Sequence, residues 1–446
     1  RDKPMPSRHQ AILVLAVTAL VTVGCASKPR QLMPTPVVYQ EPGGEPVVTQ
    51  PAELRGSSTD VDLLYITDRA PETDPESDLP FGQERAKRIE FGSARVEIGP
   101  DVSWPELERE SQLAERTRDL DLSLGRVKRL GAFPDEPYDI RVGADGFKYR
   151  DDATLAQHMT ARRQLQEEVQ QRLQRSPRKE VMLYVHGFNE TFETAAFTAA
   201  ELCHFLGREP VCAFFTWPAS STGNFLISYT STTESADYAR NHLKKVIRTL
   251  ATTPGVERVQ LLAHSRGTAL LLSAVRDLFG EVISAGHEPA VTLKVDNIVL
   301  FSPDIDVEVA AQMITSFASD PDVFSVWPTG RLPRSLRERF TIYSSPQDRA
   351  LLVSRILFRS ESRVGNLRPE DVPKGAQDYL AKLGNIDIIV YEGKRTDAFG
   401  HAYFTTNPQV SSDVMQLLRY GKAPGEPGRE LIRRGPIVWE FPTNPR

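Results

Sequence analysis

Val259-Gln260-Leu261-Leu262-Ala263-His264-Ser265-Arg266-Gly267 is the stretch that decides the fold. An apolar run meets a serine and then passes into Thr268-Ala269-Leu270-Leu271-Leu272-Ser273-Ala274, a helix-forming segment. A strand that turns sharply into a helix with serine at the apex is a nucleophile elbow. The turn is strained, so the positions two before and two after the serine must be small. Ala263 and Gly267 meet that demand, with Ala263 standing where Gly is usual. The competing reading is a core strand and helix with a chance serine.

Upstream sequence weighs against chance. Val181-Met182-Leu183-Tyr184-Val185 reads as a buried strand and runs into His186-Gly187-Phe188-Asn189. Acyl transfer at a serine needs backbone N–H groups aimed at the developing oxyanion. The residue after the nucleophile, Arg266, offers one, and Phe188 in the earlier loop offers the other. Gly187 lets the backbone approach closely. An ordinary strand-ending turn explains His186-Gly187 alone but not both motifs in this order, 79 positions apart (265 − 186).

On these residues the chain resembles the α/β-hydrolase superfamily, and within it a bacterial branch of lipoprotein-type hydrolases with no defined substrate. The resemblance runs from Val61 to Gly421. It rests on the strand Val61-Asp62-Leu63-Leu64-Tyr65-Ile66-Thr67-Asp68-Arg69, the His186 loop, Phe215-Thr216-Trp217-Pro218, the Ser265 elbow and two later acidic segments. It implies an α/β fold, with a mostly parallel central sheet flanked by helices and an N-terminal elaboration. It also implies the chain order nucleophile, acid, histidine.

Of eight histidines only His287 and His401 follow Ser265. His287 lies in the polar turn Ser284-Ala285-Gly286-His287-Glu288-Pro289, before a further strand. His401, in Phe399-Gly400-His401-Ala402, follows the apolar strand Ile386–Tyr391 and is the candidate general base. Two acids compete. Phe340–Ser344 runs into Ser345-Pro346-Gln347-Asp348, and Asn297–Phe301 runs into Ser302-Pro303-Asp304-Ile305-Asp306. If Ser265 follows strand five, Asp348 follows strand seven, the usual acid position, so Asp348 is favoured. Asp304 and Asp306 are the reserve, and the unused group is expected to cap a helix.

The implied function is hydrolysis of an acyl ester by a Ser-His-Asp triad without a cofactor or a metal. Gly187, Asn189 and Trp217 are candidate substrate-binding residues, with packing the competing role for Trp217. A scaffold of the same fold that is catalytically silent and binds an envelope partner is the alternative, because fold alone does not give activity. A net charge of −5 and the absence of a basic, aromatic-interleaved run argue against nucleic acid as a partner.

The start of the sequence carries a location signal. Arg1, Lys3 and Arg8 precede the 13-residue apolar run Ala11–Val23, too short to span a bilayer and suited to a signal h-region. Val23-Gly24-Cys25-Ala26 resembles a lipobox, though Thr22 stands where Leu is usual. Cys25 is then expected to be lipidated, placing the protein in the cell envelope. Ala26 after it favours the outer membrane, facing the periplasm. Ordinary secretory cleavage is the alternative.

The expected organisation is a signal peptide over 1–24, a flexible Pro- and Gly-rich tether over 25–59, and N-terminal strands and helices over 60–180. A catalytic core over 181–421 and a tail over 422–446 follow. Trp104–Leu124 and Ala153–Arg175 read as exposed helices, the second with a thin stripe of Leu155, Met159, Leu165, Val169 and Leu173. Cys203 and Cys212 read as two core residues, with a disulfide as the less favoured option.

Overall fold

The chain lays down β1 (Val61–Pro71), β2 (Phe81–Ile98) and β3 (Leu122–Ala132), then a separate hairpin of β4 (Ile140–Val142) and β5 (Lys148–Arg150). There follow β6 (Glu180–Val185), β7 (Val211–Thr216), β8 (Arg258–His264), β9 (Val295–Phe301), β10 (Arg339–Ser344), β11 (Ile386–Val390), β12 (Ile432–Arg433) and β13 (Val438–Glu440). All but the hairpin join one eleven-stranded sheet in the order β12-β13-β11-β10-β9-β8-β6-β7-β1-β2-β3. From β1 across to β13 each neighbouring pair is parallel; only β1–β2, β2–β3 and β12–β13 are antiparallel. This is a mostly parallel α/β sheet with antiparallel strands at both edges. The computed structural model describes residues 29–40, 46–49, 58–219, 225–322, 327, 331–358 and 362–442, without the side chains of 225–227, 317–318 and 356–358.

Helices cover both faces, as a buried parallel sheet requires. They are α1 (Trp104–Glu110), α2 (Asp152–Arg175), α3 (Phe192–Phe205), α4 (Phe225–Ala251), α5 (Arg266–Ser284), α6 (Val307–Ser319), α7 (Arg349–Phe358), α8 (Lys374–Leu383) and α9 (Pro408–Leu418). Alternation along β8 shows how the strand feeds two cores. Val259, Leu261 and Ala263 pack with α2, α4, α5 and α6, while Leu262 packs with α1, α3 and α9. Because the central strands are parallel, their carboxyl ends share one edge. The loops after β6, β8, β9, β10 and β11 therefore meet there, where open α/β sheets bind ligands.

Several sequence expectations are corrected. The helix expected over Trp104–Leu124 stops at Glu110, and Leu122–Ala132 is a strand. β2 would otherwise leave a long edge of unpaired backbone groups, and β3 pairs with it. Of the stripe on α2, Leu165, Val169 and Leu173 are buried but Leu155 and Met159 are exposed. The expected tether is packed where it is described. Leu32, Met33, Tyr39, Val47 and Val48 are buried, Arg30 pairs with Glu201 at 2.6 Å, and the Met33 N–H donates to the same carboxylate. Its apolar residues come in short runs of two or three among prolines, so composition hid them.

The tail also belongs to the body, since β12 and β13 extend the sheet and buried Arg429 pairs with Asp413 at 2.8 Å. Cys203 and Cys212 are buried, as read, but they are also joined in a disulfide. The apolar run 11–23 and Cys25 lie outside the described residues. Among the described residues no helix is long and apolar enough to cross a membrane.

Candidate active site

Ser265 sits at the turn between β8 and α5 with φ 53° and ψ −125°. A side chain other than glycine rarely adopts this geometry, and surrounding bonds hold it there. The Ser265 N–H donates to the Phe301 carbonyl at 2.9 Å. Its own carbonyl accepts from Thr268 N–H at 3.1 Å, Thr268 Oγ1 at 2.6 Å and Asp304 N–H at 3.3 Å. The small flanking residues have a steric cause. A Cβ on Gly267 would lie 2.1 Å from the His186 carbonyl oxygen, and one on Gly187 would lie 2.8 Å from Ser265 Cβ. The elbow and the His186 loop are thus pressed together backbone to backbone.

That contact brings together the two segments that carry Phe188 and Arg266. Arg266 opens α5, so its N–H belongs to the helix's first turn, where N–H groups have no partner within the helix. The Phe188 ring packs against Tyr229 with centroids 5.1 Å apart. Below this loop His186 is fully buried, and burial followed by the nearby Arg69 charge push its pKa well below the ordinary value. One ring nitrogen of the neutral imidazole donates to the Gly187 carbonyl at 2.9 Å, and the other accepts the Trp217 N–H at 3.1 Å. Arg69, also buried, donates to Thr216 Oγ1 at 2.7 Å and to the Glu190 carbonyl at 2.6 Å. Burial brings its pKa down to about 10.

Trp217 is corrected as a substrate contact. It has no exposed surface, stacks on His186 with centroids 5.5 Å apart, and donates from its indole to the His186 carbonyl at 3.0 Å. Its task is to brace the loop. Gly187 is buried in that loop. Asn189 is exposed beside it at φ 59°, its N–H bonded to the Ala219 carbonyl at 3.0 Å.

The acid and the histidine come together. Asp348, fully buried after β10, places Oδ2 2.6 Å from His401 Nδ1, while its Oδ1 accepts the Leu351 N–H at 3.2 Å. Burial opposes a charged His401. The Asp348 carboxylate, its hydrogen bond, and then Asp304 and Asp397 more than offset that, so the His401 pKa lies above its ordinary value. The reserve acids are engaged elsewhere. Asp304 accepts from Tyr229 Oη, from Ser354 Oγ at 2.6 Å, and lies 3.5 Å from Arg363. Asp306 caps α6 by accepting the Glu308 and Val309 N–H groups at 2.9 and 3.3 Å, the task expected of the unused acid.

Sequence reading missed the groups that hold His401. Asp397 accepts N–H groups from Phe399, His401 and Ala402, and the His401 carbonyl accepts from Ser302 Oγ at 2.9 Å and His264 Nε2 at 3.2 Å. An Asp four residues before the histidine in a Gly-bearing loop was the available signal for Asp397. The His264 and His401 rings lie 4.6 Å apart, which brings His401 beside the elbow. Among the described residues Ser265 Oγ makes no hydrogen bond, so the serine–histidine link is open. Such links often tighten only when substrate binds.

No curated protein is similar enough to the chain to count as a relative. Among solved structures, the phospholipase PlaB from Legionella pneumophila is 12% identical with a TM-score of 0.20. That match covers 52% of this chain and 42% of the phospholipase. Tryptophan synthase subunit alpha from Legionella pneumophila str. Paris is 13% identical with a TM-score of 0.20, over 59% of this chain and 94% of that one. A protein-family model matches far more directly, over residues 161–420, more than half of the chain, and its span takes in the His186 loop, Ser265, Asp348 and His401. The chain belongs to the family described as alpha/beta hydrolase of unknown function (DUF900).

Proposed function

We propose that the protein is an exported serine hydrolase of acyl esters. Ser265 Oγ attacks the acyl carbonyl while His401 Nε2 takes its proton. Asp348 holds Nδ1–H and stabilises the imidazolium. The Phe188 and Arg266 N–H groups receive the oxyanion. The alcohol leaves with the proton from His401, and water then enters by the same base to release the acid. An ester asks least of the acid step, because its alkoxide leaves more readily than an amine. The observation that carries this reading is the 2.6 Å Asp348–His401 bond beside a serine held at positive φ.

Export and anchoring belong to the same proposal. The short apolar run ending at Cys25 suits a lipidated N-terminus. The Cys203–Cys212 disulfide suits an oxidising compartment. One observation favours the silent-scaffold alternative, namely the open Ser265–His401 link. Turnover of p-nitrophenyl esters of graded chain length decides between them. The parent should hydrolyse some of the series, and Ser265→Ala should lose roughly a thousandfold or more. No turnover on any ester, or equal turnover by both chains, favours the scaffold.

A further inference from the structure

The hairpin β4–β5 carries large apolar side chains that stand mostly exposed. Ile140, Val142 and Phe147 are 61, 64 and 69% exposed. Large apolar side chains exposed together on one hairpin mark a contact surface. Its chemistry is mixed in an ordered way. Ile140 stands opposite Arg150 and Val142 opposite Lys148, so each cross-strand pair sets an aliphatic beside a cation on one face. On the other face the Arg141 guanidinium lies 5.0 Å over the Tyr149 ring. Arg141, Lys148 and Arg150 form no salt bridge among the described residues. Asp145, the carboxylate in the turn, accepts from Tyr149 Oη and from the Phe147 N–H at 3.1 Å.

Register places this hairpin at the catalytic edge. Ala263, Val185, Phe215, Ile66, Phe91 and Gly131 form one row across the sheet. Gly131 is one residue from the end of β3, and Ala263 is two before Ser265. The chain therefore leaves β3 toward the hairpin at the same edge where the elbow opens. Five strand spacings of about 4.8 Å put the end of β3, from which the chain runs to the hairpin, roughly 24 Å from the elbow along that edge. Leu155 and Met159, in the first turns of α2, which starts two residues after the hairpin's end, are also exposed.

We propose that this hairpin seats the protein on an anionic lipid bilayer, with Ser265 facing acyl esters of bilayer lipids. The substrate half rests on the ester-hydrolase reading above; the seating half does not. A bilayer fits better than a protein partner. Lys148 is a residue type depleted in protein interface cores, and the three cations, without a salt bridge among the described residues, favour an anionic surface. Lys148 and Arg150 can instead raise their charged ends to anionic headgroups while Ile140 and Val142, on the same face, and Phe147, on the opposite face beside the turn, enter the acyl boundary.

The test uses the full chain carrying Cys25→Ser, so that no acyl anchor contributes, and co-sedimentation with vesicles. It should bind phosphatidylglycerol–phosphatidylethanolamine vesicles more tightly than phosphatidylcholine ones, and salt should weaken the binding. Adding Ile140→Ser, Val142→Ser and Phe147→Ser should reduce binding about tenfold or more while thermal unfolding and turnover of a soluble ester stay unchanged. Ser265→Ala should bind as the parent does, which separates seating from catalysis. A parent that leaves both vesicle types unbound, or a triple variant that binds equally well, overturns the proposal. So does a parent dimer that the triple variant disperses, which would assign the face to a second copy. A parent that binds and cleaves soluble esters but no vesicle-borne ester overturns the substrate half.

Discussion

Asp348→Asn isolates the acid with little change of shape. The carboxylate is fully buried and sits 2.6 Å from His401 Nδ1, so its charge acts at short range and out of water. Opposite charges with centres about 4 Å apart attract by about 4 kcal/mol at an effective dielectric near 20. The imidazolium that forms in the transition state loses that attraction in the variant. At about 1.4 kcal/mol per tenfold, the loss is roughly a thousandfold in turnover. The carboxamide can also present its NH2 group to Nδ1, which selects the imidazole tautomer with Nε2 already protonated and unable to act as base. Together the two effects should cost on the order of a thousand- to ten-thousandfold in kcat.

The assay is initial-rate hydrolysis of a short p-nitrophenyl ester, run beside Asp304→Asn and Asp306→Asn, with thermal unfolding to show that each variant is folded. Asp306→Asn should leave kcat nearly unchanged, because Asp306 caps α6 and makes no hydrogen bond to His401 among the described residues. Asp304→Asn should lose stability and about tenfold or less in rate, since Asp304 ties Tyr229, Ser354 and Arg363 together away from the Asp348–His401 bond. A folded Asp348→Asn variant within about tenfold of the parent would refute the assignment. So would Asp304→Asn falling further than Asp348→Asn.

Three more outcomes follow from the same geometry. The base must be neutral to take a proton, and His401 titrates above its ordinary 6.5, so kcat/KM should rise through an inflection above that value. The matching contribution to stability is present below 6.5 and fades as pH rises through the folded-state pKa, which a series of melting curves checks. Gly267→Ala should destabilise by about 1–3 kcal/mol or more, read by denaturant unfolding, because its Cβ meets the His186 carbonyl rather than a flexible side chain. Reducing the Cys203–Cys212 disulfide should lower stability by about 2–3 kcal/mol without abolishing turnover, since the bond lies at the amino end of β7, away from the elbow.

The α/β sheet and the placing of His401 beside Asp348 were legible because short-range signals and chain order agree. A strained turn demands small residues at 263 and 267, and few histidines follow Ser265 to choose from. The two acids were ranked only by counting strands, since a carboxylate after a strand reads alike whether it faces an imidazole or caps a helix. Trp217 was misread because a tryptophan in a loop at the sheet's edge gives no sign of whether it points out or under the loop. Its partner there is His186, 31 residues away (217 − 186), which no local pattern reveals. β3 was missed because its pairing with β2 is a tertiary fact that overrides weak local preference. The packed segment 30–39 was missed because a few apolar side chains among prolines suffice when α3 supplies Glu201 and a hydrophobic surface.

The central claim is that Ser265 is an activated nucleophile. Treatment with a fluorophosphonate, followed by peptide mass spectrometry, reads this without knowledge of the substrate. A single phosphonyl adduct on Ser265 is expected, absent in Ser265→Ala and strongly slowed in Asp348→Asn. A folded parent that takes up no phosphonate, or takes it up at another serine, would contradict the claim.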